Sequence, residues 1–430
     1  GSYIGGYPSW AGGDLKGVID EVRVSNVVRT PDWIKQSYDL VQDQNNRVTI
    51  GDEVEPAIPV DHFEIRHDGN GFTCEAKSMT IKACADANCD TLYDQDTTIT
   101  LSNPGLAGDG WKSSNVITIP GGTGIPITLS VTEESTVTLA KTSANPDVDL
   151  RCFNGSTETC DIVFIDSGFE FIGATAADKF IPDQEAETIF QNVNLRAVEK
   201  DSDTASCKAA LVASVDIKLG YNCISPTSGK CLRPLSNIAI EGDGTGESKG
   251  TYSLTFNSDG IAELPLTYAD AGRLELSAES NSGGKILKGL GMVDVYPSYL
   301  ALSVAQTELL YGGSGAQNNY IAGEPFTVSI GAYGTNNALL PNYQAENPQL
   351  KVTRIQPASS GSNGHFKYSN TGTISAQLAA GFTSATGLSF SAGKHQYTGA
   401  YYDEVGRISI VVKDETYLGN KIVSNSSLTL

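Results

Sequence analysis

Basic side chains are scarce in this sequence. Lysine and arginine number 29 against 50 aspartates and glutamates in 430 residues, a net charge of −21. A surface that acidic repels phosphate backbones and anionic lipid, which sets nucleic-acid binding aside. Long apolar runs are missing too, and none approaches the ~20 residues that a membrane-spanning helix requires. No charged start backed by an apolar core opens the chain, so no signal peptide is read there. The opening GSYIGGYPSW reads as mid-domain and the closing SSLTL as mid-strand, so the expectation is a piece of a longer chain.

Helical periodicity is also in short supply. Only residues 30–38 (TPDWIKQSY) carry a start signal, a Thr cap followed by Pro at the first helical position. What the chain does have is glycine, 45 of them, with Thr, Ser, Asn and Asp recurring between short apolar stretches. That is the texture of many strands joined by tight turns. The length suggests about three domains of ~100–150 residues. With 40% hydrophobic residues, each can bury a core.

Reactive constellations are thin. There is no GxSxG, and His62, His67, His365 and His395 sit in turn-rich or strand-start contexts, so no Ser/His/Asp triad is read. His62 reads as a strand residue beside buried Phe63. Asp20 and Glu21 are adjacent, and adjacent strand residues point to opposite faces, so they cannot converge on one glycosidic bond. GGTG at 121–124 has no helix behind it and is not a phosphate loop. Trp10, Trp33 and Trp111 could stack on sugar rings, although single tryptophans usually serve a core or an interface.

Acidic turns are calcium candidates because they offer carboxylate oxygens. They are DANCD (86–90), DVD with Asp147 and Asp149, DSD with Asp201 and Asp203, and DGTGE (243–247). None matches an EF-hand, and acidic Gly-rich turns are also how hairpins read. Residues 145–149 (NPDVD) are expected between domains, where calcium would stiffen a joint. No cofactor is required by the sequence; calcium is the one ion it leaves open.

Eight cysteines point to an oxidising compartment, periplasmic or outside the cell. Short spacings pair Cys84–Cys89, Cys152–Cys160 and Cys223–Cys231, which would leave Cys74 and Cys207. Keeping pairs within domains would instead bond Cys74 to Cys84 or Cys89, and Cys207 to Cys223 or Cys231. Zinc is the rival reading. It is disfavoured because no CxxC occurs and the histidines lie far from the thiols in sequence.

A repeat organises the rest. Residues 72–83 (FTCEAKSMTIKA), 186–197 (AETIFQNVNLRA) and 323–332 (GEPFTVSIGA) each alternate apolar and polar residues and end in Ala. That period fits an early strand of an immunoglobulin-like sandwich. A tighter echo joins YADAGRLEL (268–276) to YDEVGRISI (402–410). Gly272 and Gly406 lie 134 residues apart, and Ala197 and Ala332 lie 135 apart, so two copies of one domain are expected. In each, glycine supplies the turn, the acid caps it, and a buried Tyr can pin the loop by its hydroxyl. Tyr268, Asp270, Gly272, Tyr402, Glu404 and Gly406 are therefore read as structural.

The fold class is all-β, tandem immunoglobulin-like sandwiches at 57–142, 161–295 and 296–430, with truncation of the last left open. A Pro-rich linker (54–59) precedes them, and a connector carrying Cys152 and Cys160 joins the first to the second. Residues 1–48 stand apart as a fragment.

Two stretches carry resemblances. LKGVIDEVRVSNVVRTPDWIKQSY (15–38) resembles the end of a LamG or concanavalin A-like jelly roll, whose final strand leads into a short helix. Such domains often bind glycans or proteins, sometimes with calcium, but their binding loops would lie upstream. From residue 61 onward the chain resembles MshQ-like proteins, encoded with the mannose-sensitive haemagglutinin (MSHA) type IV pilus of Gram-negative bacteria. The resemblance rests on TCEAKSMTIKACADANC, LRAVEKDSDTASC, FNSDGIAELPLTYADAGRLELSA and YIAGEPFTVSIGA. It implies a protein exported through the periplasm to the cell surface, aiding attachment, with pilus components or surface glycans and proteins as partners. It implies no enzymatic activity.

The expected function is thus a pilus-associated, adhesin-like surface protein whose sandwiches form a stiff stalk. The alternatives are accessory modules of a secreted carbohydrate-active enzyme, or a structural protein that self-associates through strand edges into filaments.

Overall fold

The computed structural model describes residues 25–42, 59–87, 89, 91–103, 110–154, 157–175, 181–225, 229–282, 284–305, 321–359 and 361–430. The chain forms two compact units, Gly1–Ala57 and Ile58–Leu430.

In the first unit the helix Pro31–Gln42 forms where the cap predicts it. The Trp33 N–H donates to Thr30 Oγ1 at 3.3 Å, and Pro31 and Asp32 fill the first turn, where a fixed φ and a negative charge are favourable. Residues 1–24, with Trp10, Asp20, Glu21 and most of the stretch expected to end a jelly roll, lie outside the described residues, as does most of the 54–59 linker.

The second unit is three β-sandwiches in series. The first has a six-stranded sheet in the order Thr157–Glu158, Asp149–Asn154, His62–His67, Lys77–Cys84, Gly124–Ser130, Gly110–Trp111. Two three-stranded sheets complete it: Asn70–Phe72, Asp161–Ile165, Ser135–Thr138, and Val116–Ile119, Thr97–Leu101, Lys141–Asn145. Alternation puts Phe63, Ile65, Met79, Ile81, Ile99, Ile119 and Leu129 into its core.

This sandwich runs past residue 142. Asp149–Asn154 pairs in parallel with His62–His67, setting Cys152 beside Ile65, and Asp161–Ile165 pairs with both Ser135–Thr138 and Asn70–Phe72. The expected connector is therefore core: Cys152, Ile162 and Phe164 are buried in the first sandwich. The run DIVFIDSGFEFI (161–172), expected to open the second sandwich, divides at Asp166. Its first half serves the first sandwich and Ser167–Ile172 serves the second. Residues 145–149 consequently sit within the first sandwich rather than at a joint.

The second sandwich packs Ser167–Ile172, Asn194–Lys200, Cys207–Ala209 and Ile261–Glu263 against a five-stranded sheet. That sheet runs Gln184–Glu185, Lys285–Tyr296, Gly272–Ser282, Ala213–Ser225, Ser248–Phe256. The third repeats the plan. Tyr299–Ala305, Phe326–Tyr333 and Lys394–Tyr402 lead one sheet, and Pro348–Gln356, Arg407–Tyr417 and Asn420–Val423 form the body of the other.

The repeat extends to irregularities. A bulge between Cys223 and Ser225 lies opposite Arg273 and Leu274, and one between Arg354 and Gln356 lies opposite Arg407 and Ile408. Gly272 and Gly406 open the corresponding strands at φ +137° and +150°, a region that side chains with a Cβ resist. Asp270 and Glu404 each accept the N–H of the next residue, Ala271 and Val405, at 2.9 and 2.8 Å. The tyrosines differ from expectation in one respect. Tyr268 is fully buried, but its hydroxyl donates to Cys223 Sγ at 3.4 Å instead of to the loop backbone.

Candidate groove and inter-domain joints

The first joint is covalent. Cys74 follows the strand Asn70–Phe72 and Cys207 begins the strand Cys207–Ala209; they are bonded to each other, crossing from the first sandwich to the second. The remaining bonds are Cys84–Cys89, Cys152–Cys160 and Cys223–Cys231. Of the two pairings open from the sequence, the structure has the one that spans domains. Around Cys74–Cys207 the Arg196 guanidinium of the second sandwich reaches Glu75 of the first at 3.0 Å and its own neighbour Glu170 at 3.2 Å. Lys200 Nζ donates to the Thr132 carbonyl at 2.6 Å, and the Asp166 N–H donates to Glu134 at 2.9 Å. The Thr73 hydroxyl also bonds Asp166.

The second joint is packed rather than stapled. The cores of the second and third sandwiches form one continuous cluster that includes Tyr268, Ala271, Leu340 and Tyr343. Polar groups fix its register. Asp270 Oδ1 accepts the Asn342 N–H at 2.9 Å, Asn342 Nδ2 donates to the Lys230 carbonyl at 3.1 Å, and Glu187 accepts the Asn336 N–H at 2.8 Å. Asn420 Nδ2 donates to Asp183 at 2.9 Å. Asp270 is fully buried and its Oδ2 has no hydrogen-bond partner among the described residues. Burial pushes its pKa up to about 7, against the downward pull of the Asn342 and Ala271 N–H groups.

Residues of all three sandwiches line a groove of about 1180 Å³. Arg66 and Lys77 come from the first, Phe171 and Arg273 from the second, Glu346 and Leu418 from the third. Three of its cations are matched to carboxylates. Arg66 grips Glu64 through Nε at 2.6 Å, Lys77 reaches Asp68 at 2.6 Å, and Arg273 holds Asp294 through two bonds of 2.6 Å. Burial raises the Glu346 pKa. His67 on the wall is occupied on both nitrogens, by the Thr159 carbonyl at 2.9 Å and the Gly69 N–H at 3.0 Å; burial lowers its pKa, so it stays neutral. Its lining presents paired charges rather than a poised nucleophile and base.

The other sequence candidates are placed as follows. Asp147 pairs with Lys141 at 2.5 Å, and Asp149 lies exposed at the start of a strand. Asp201 accepts the N–H groups of Asp203 and Thr204 at 3.0 Å and faces Lys208 at 3.2 Å; these contacts hold its pKa far below the ordinary value. Asp203 accepts from the Ser202 hydroxyl. Asp243 and Asp86 likewise close their own loops, onto Thr245 and Thr91. Trp111 donates to the Ser102 carbonyl at 2.9 Å and packs on the first core; Trp33 stacks under Arg29 at 4.6 Å. Gly121 turns between two strands, where a Cβ would sit 2.0 Å from the Asp94 carbonyl oxygen. Among the described residues, His62, Glu64, Cys84 and Cys89 are the grouping of potential ligands that the structure brings together. Sequence spacing does not show it, because strand pairing assembles it.

Comparison with known proteins bears on the fold. Residues 149–290 match the family model described as "Domain of unknown function (DUF6701), first Ig-like domain", and residues 60–147 match "Domain of unknown function (DUF8613)". The seam between these matches precedes the structural seam at Asp166. No curated protein matches the chain in sequence. Among solved structures, it is similar to the Escherichia coli adhesin FdeC at 11% identity, over 87% of this chain and 99% of that one, with a TM-score of 0.27. It is similar to invasin, a bacterial integrin-binding protein, at 13% identity over 86% of this chain and 59% of that one, TM-score 0.25. Yersinia pseudotuberculosis InvD shares 11% identity over 86% and 97%, TM-score 0.22. The chain is an all-β protein of Ig-like sandwiches.

Proposed function

We propose that residues 58–430 are the stiff stalk of an adhesin-like protein exposed at the cell surface. The observation that carries this is the construction of the joints. One is closed by a disulfide and a shared Arg196 ion cluster, the other by a continuous core and buried hydrogen bonds. Sandwiches that merely followed one another on flexible linkers would show neither, since inter-domain contacts in a mobile array are small and polar. Four disulfides suit an oxidising location. No helix among the described residues is long and apolar enough to cross a membrane. In this reading the jelly-roll fragment expected at 1–48 belongs to the part that the stalk carries. Association with a pilus of a Gram-negative bacterium is the finer reading and rests on the MshQ-like resemblance.

The test compares glycan-array binding of this chain with that of a chain extended upstream through the jelly roll, with and without calcium. Binding by the extended chain alone supports a stalk. A second reading is favoured by the three-sandwich groove: binding by this chain alone, abolished by Arg273→Ala, would place the ligand there and overturn the purely mechanical role.

A further inference from the structure

The first sandwich holds a cluster that a stalk does not need. His62–His67 pairs antiparallel with Lys77–Cys84 in a register that sets His62 opposite Cys84. Facing residues on paired strands share a side of the sheet, as do residues two apart on one strand. His62, Glu64 and Cys84 therefore gather on one side, and Cys89 returns to Cys84 through the disulfide. One donor atom from each of the four lies within 4.8 Å of the others; three of the residues are buried and Cys89 is half-buried.

His62 is the informative member. It is only 2% exposed, and its Nδ1 lies 2.7 Å from Asp61 Oδ1. A carboxylate can only accept, so Nδ1 carries the hydrogen, and in the neutral imidazole Nε2 then holds the lone pair. That Nε2 is buried with no hydrogen-bond partner among the described residues, and Glu64 Oε2, at 4.0 Å, is beyond hydrogen-bond reach. Leaving such an atom buried and unsatisfied is unfavourable, because it has lost its water without gaining a partner. A histidine with one nitrogen on a carboxylate and the other free is oriented as metal-ligating histidines are. Arg66 holds Glu64 through Nε at 2.6 Å and Nη2 at 3.1 Å, fixing the second ligand.

We propose that reduction of Cys84–Cys89 opens a zinc site formed by His62 Nε2, the Glu64 carboxylate and the two sulfurs, so that a metal staple replaces the covalent one. A dithiol reductant supplies two electrons and two protons as it closes its own disulfide, leaving Cys84 and Cys89 as thiols. Zn²⁺ then displaces both thiol protons to water and forms two bonds to sulfur, one to nitrogen and one to oxygen. While the sulfurs are bonded to each other they have no thiolate to give, and the site is closed. Two thiolates, an imidazole and a carboxylate make the four-coordinate, borderline-soft set that suits zinc. The set carries one negative charge in excess of the metal's, and Arg66 offsets it.

The test uses Co²⁺ as a spectroscopic probe of the whole chain, reduced with dithiothreitol and desalted, with alkylation and mass mapping to confirm that Cys84–Cys89 is open. The expected result is a tetrahedral cobalt spectrum with a thiolate charge-transfer band, discharged by one equivalent of Zn²⁺. The same treatment of C84S/C89S, which retains the other six cysteines, is expected to give no such band. His62→Ala is expected to weaken Co²⁺ binding at least about tenfold. If that variant does not fold, Glu64→Gln, which keeps the side-chain shape, is expected to weaken it in the same direction. An equal band in C84S/C89S, unchanged affinity in the folded ligand variant, or no band from a chain mapped as reduced would each overturn the site.

Discussion

Cys74 and Cys207 stand 133 residues apart in the chain and are bonded across the seam between the first and second sandwiches, with their Cα atoms 4.9 Å apart. The described strands between them in sequence belong to the two sandwiches, so the bond closes a joint rather than a loose loop.

Breaking that bond tests the joint directly. The chain-entropy ceiling for a loop this long is ~5 kcal/mol. Two sandwiches folded independently of the bond reduce what it contributes, so C74S/C207S should lower the first thermal transition by only a few degrees. The larger effect is expected in solution scattering, as a broader distribution of distances than the parent shows. An unchanged distribution would mean that the disulfide does not set the joint.

Arg196 makes a second test of the same seam. Its side chain is 13% exposed and faces Glu75 and Glu170, at 25% and 11%. Arg196→Ala leaves two carboxylates together with little water, a loss of roughly 3 kcal/mol by urea unfolding. Arg196→Ala combined with Glu75→Gln should recover part of it. No recovery would show that packing of the arginine stem, rather than charge, carries the effect.

Asp270 gives a pH dependence. Its folded pKa of about 7 lies above the ordinary 3.8, chiefly through burial. Between those values the folded chain holds a proton that the unfolded chain has lost. This group's contribution is therefore fully present below about pH 4, falls as pH rises, and is lost above about pH 7. The total is on the order of 4 kcal/mol. Asp270→Asn cannot ionise, so its melting temperature should gain on the parent as pH rises from 4 to 8. Parallel curves for the two chains would refute the assignment.

Gly406 tests the repeated turn. Its φ is +150°, and a Cβ there would sit 2.1 Å from the Gln356 carbonyl oxygen, a backbone atom that cannot swing aside. Gly406→Ala should cost roughly 2–3 kcal/mol. A loss below 0.5 kcal/mol, within the ~0.5 kcal/mol expected of neutral surface changes, would mean that the turn relaxes freely.

Much of this architecture was legible in the chain. Alternation marked residues 72–83, 186–197 and 323–332 as strands. Lys77–Cys84 and Phe326–Tyr333 fall largely within them, whereas of the middle run only 194–197 joins a strand, Asn194–Lys200. The shared Tyr-x-acid-x-Gly-Arg pattern marked the matching turns at Gly272 and Gly406. Alternation is local, because one buried face per strand repeats every two residues. The division of residues 161–172 at Asp166 was not legible. Both halves alternate, and only their partners, Ser135–Thr138 on one side and Asn194–Lys200 on the other, assign them to different sandwiches.

The same contrast applies to the sites. Composition and spacing by themselves determined the sheet-rich class and marked eight cysteines as disulfide candidates, with two pairings left open, since each depends on neighbours in sequence. Tertiary structure alone decided that Cys74 meets Cys207, that Asp270 is buried against Asn342, and that His62 faces Cys84. Those relations depend on strand register and domain packing, in which residues tens to more than a hundred positions apart are brought together by the burial of whole faces. No short window of sequence records which face meets which.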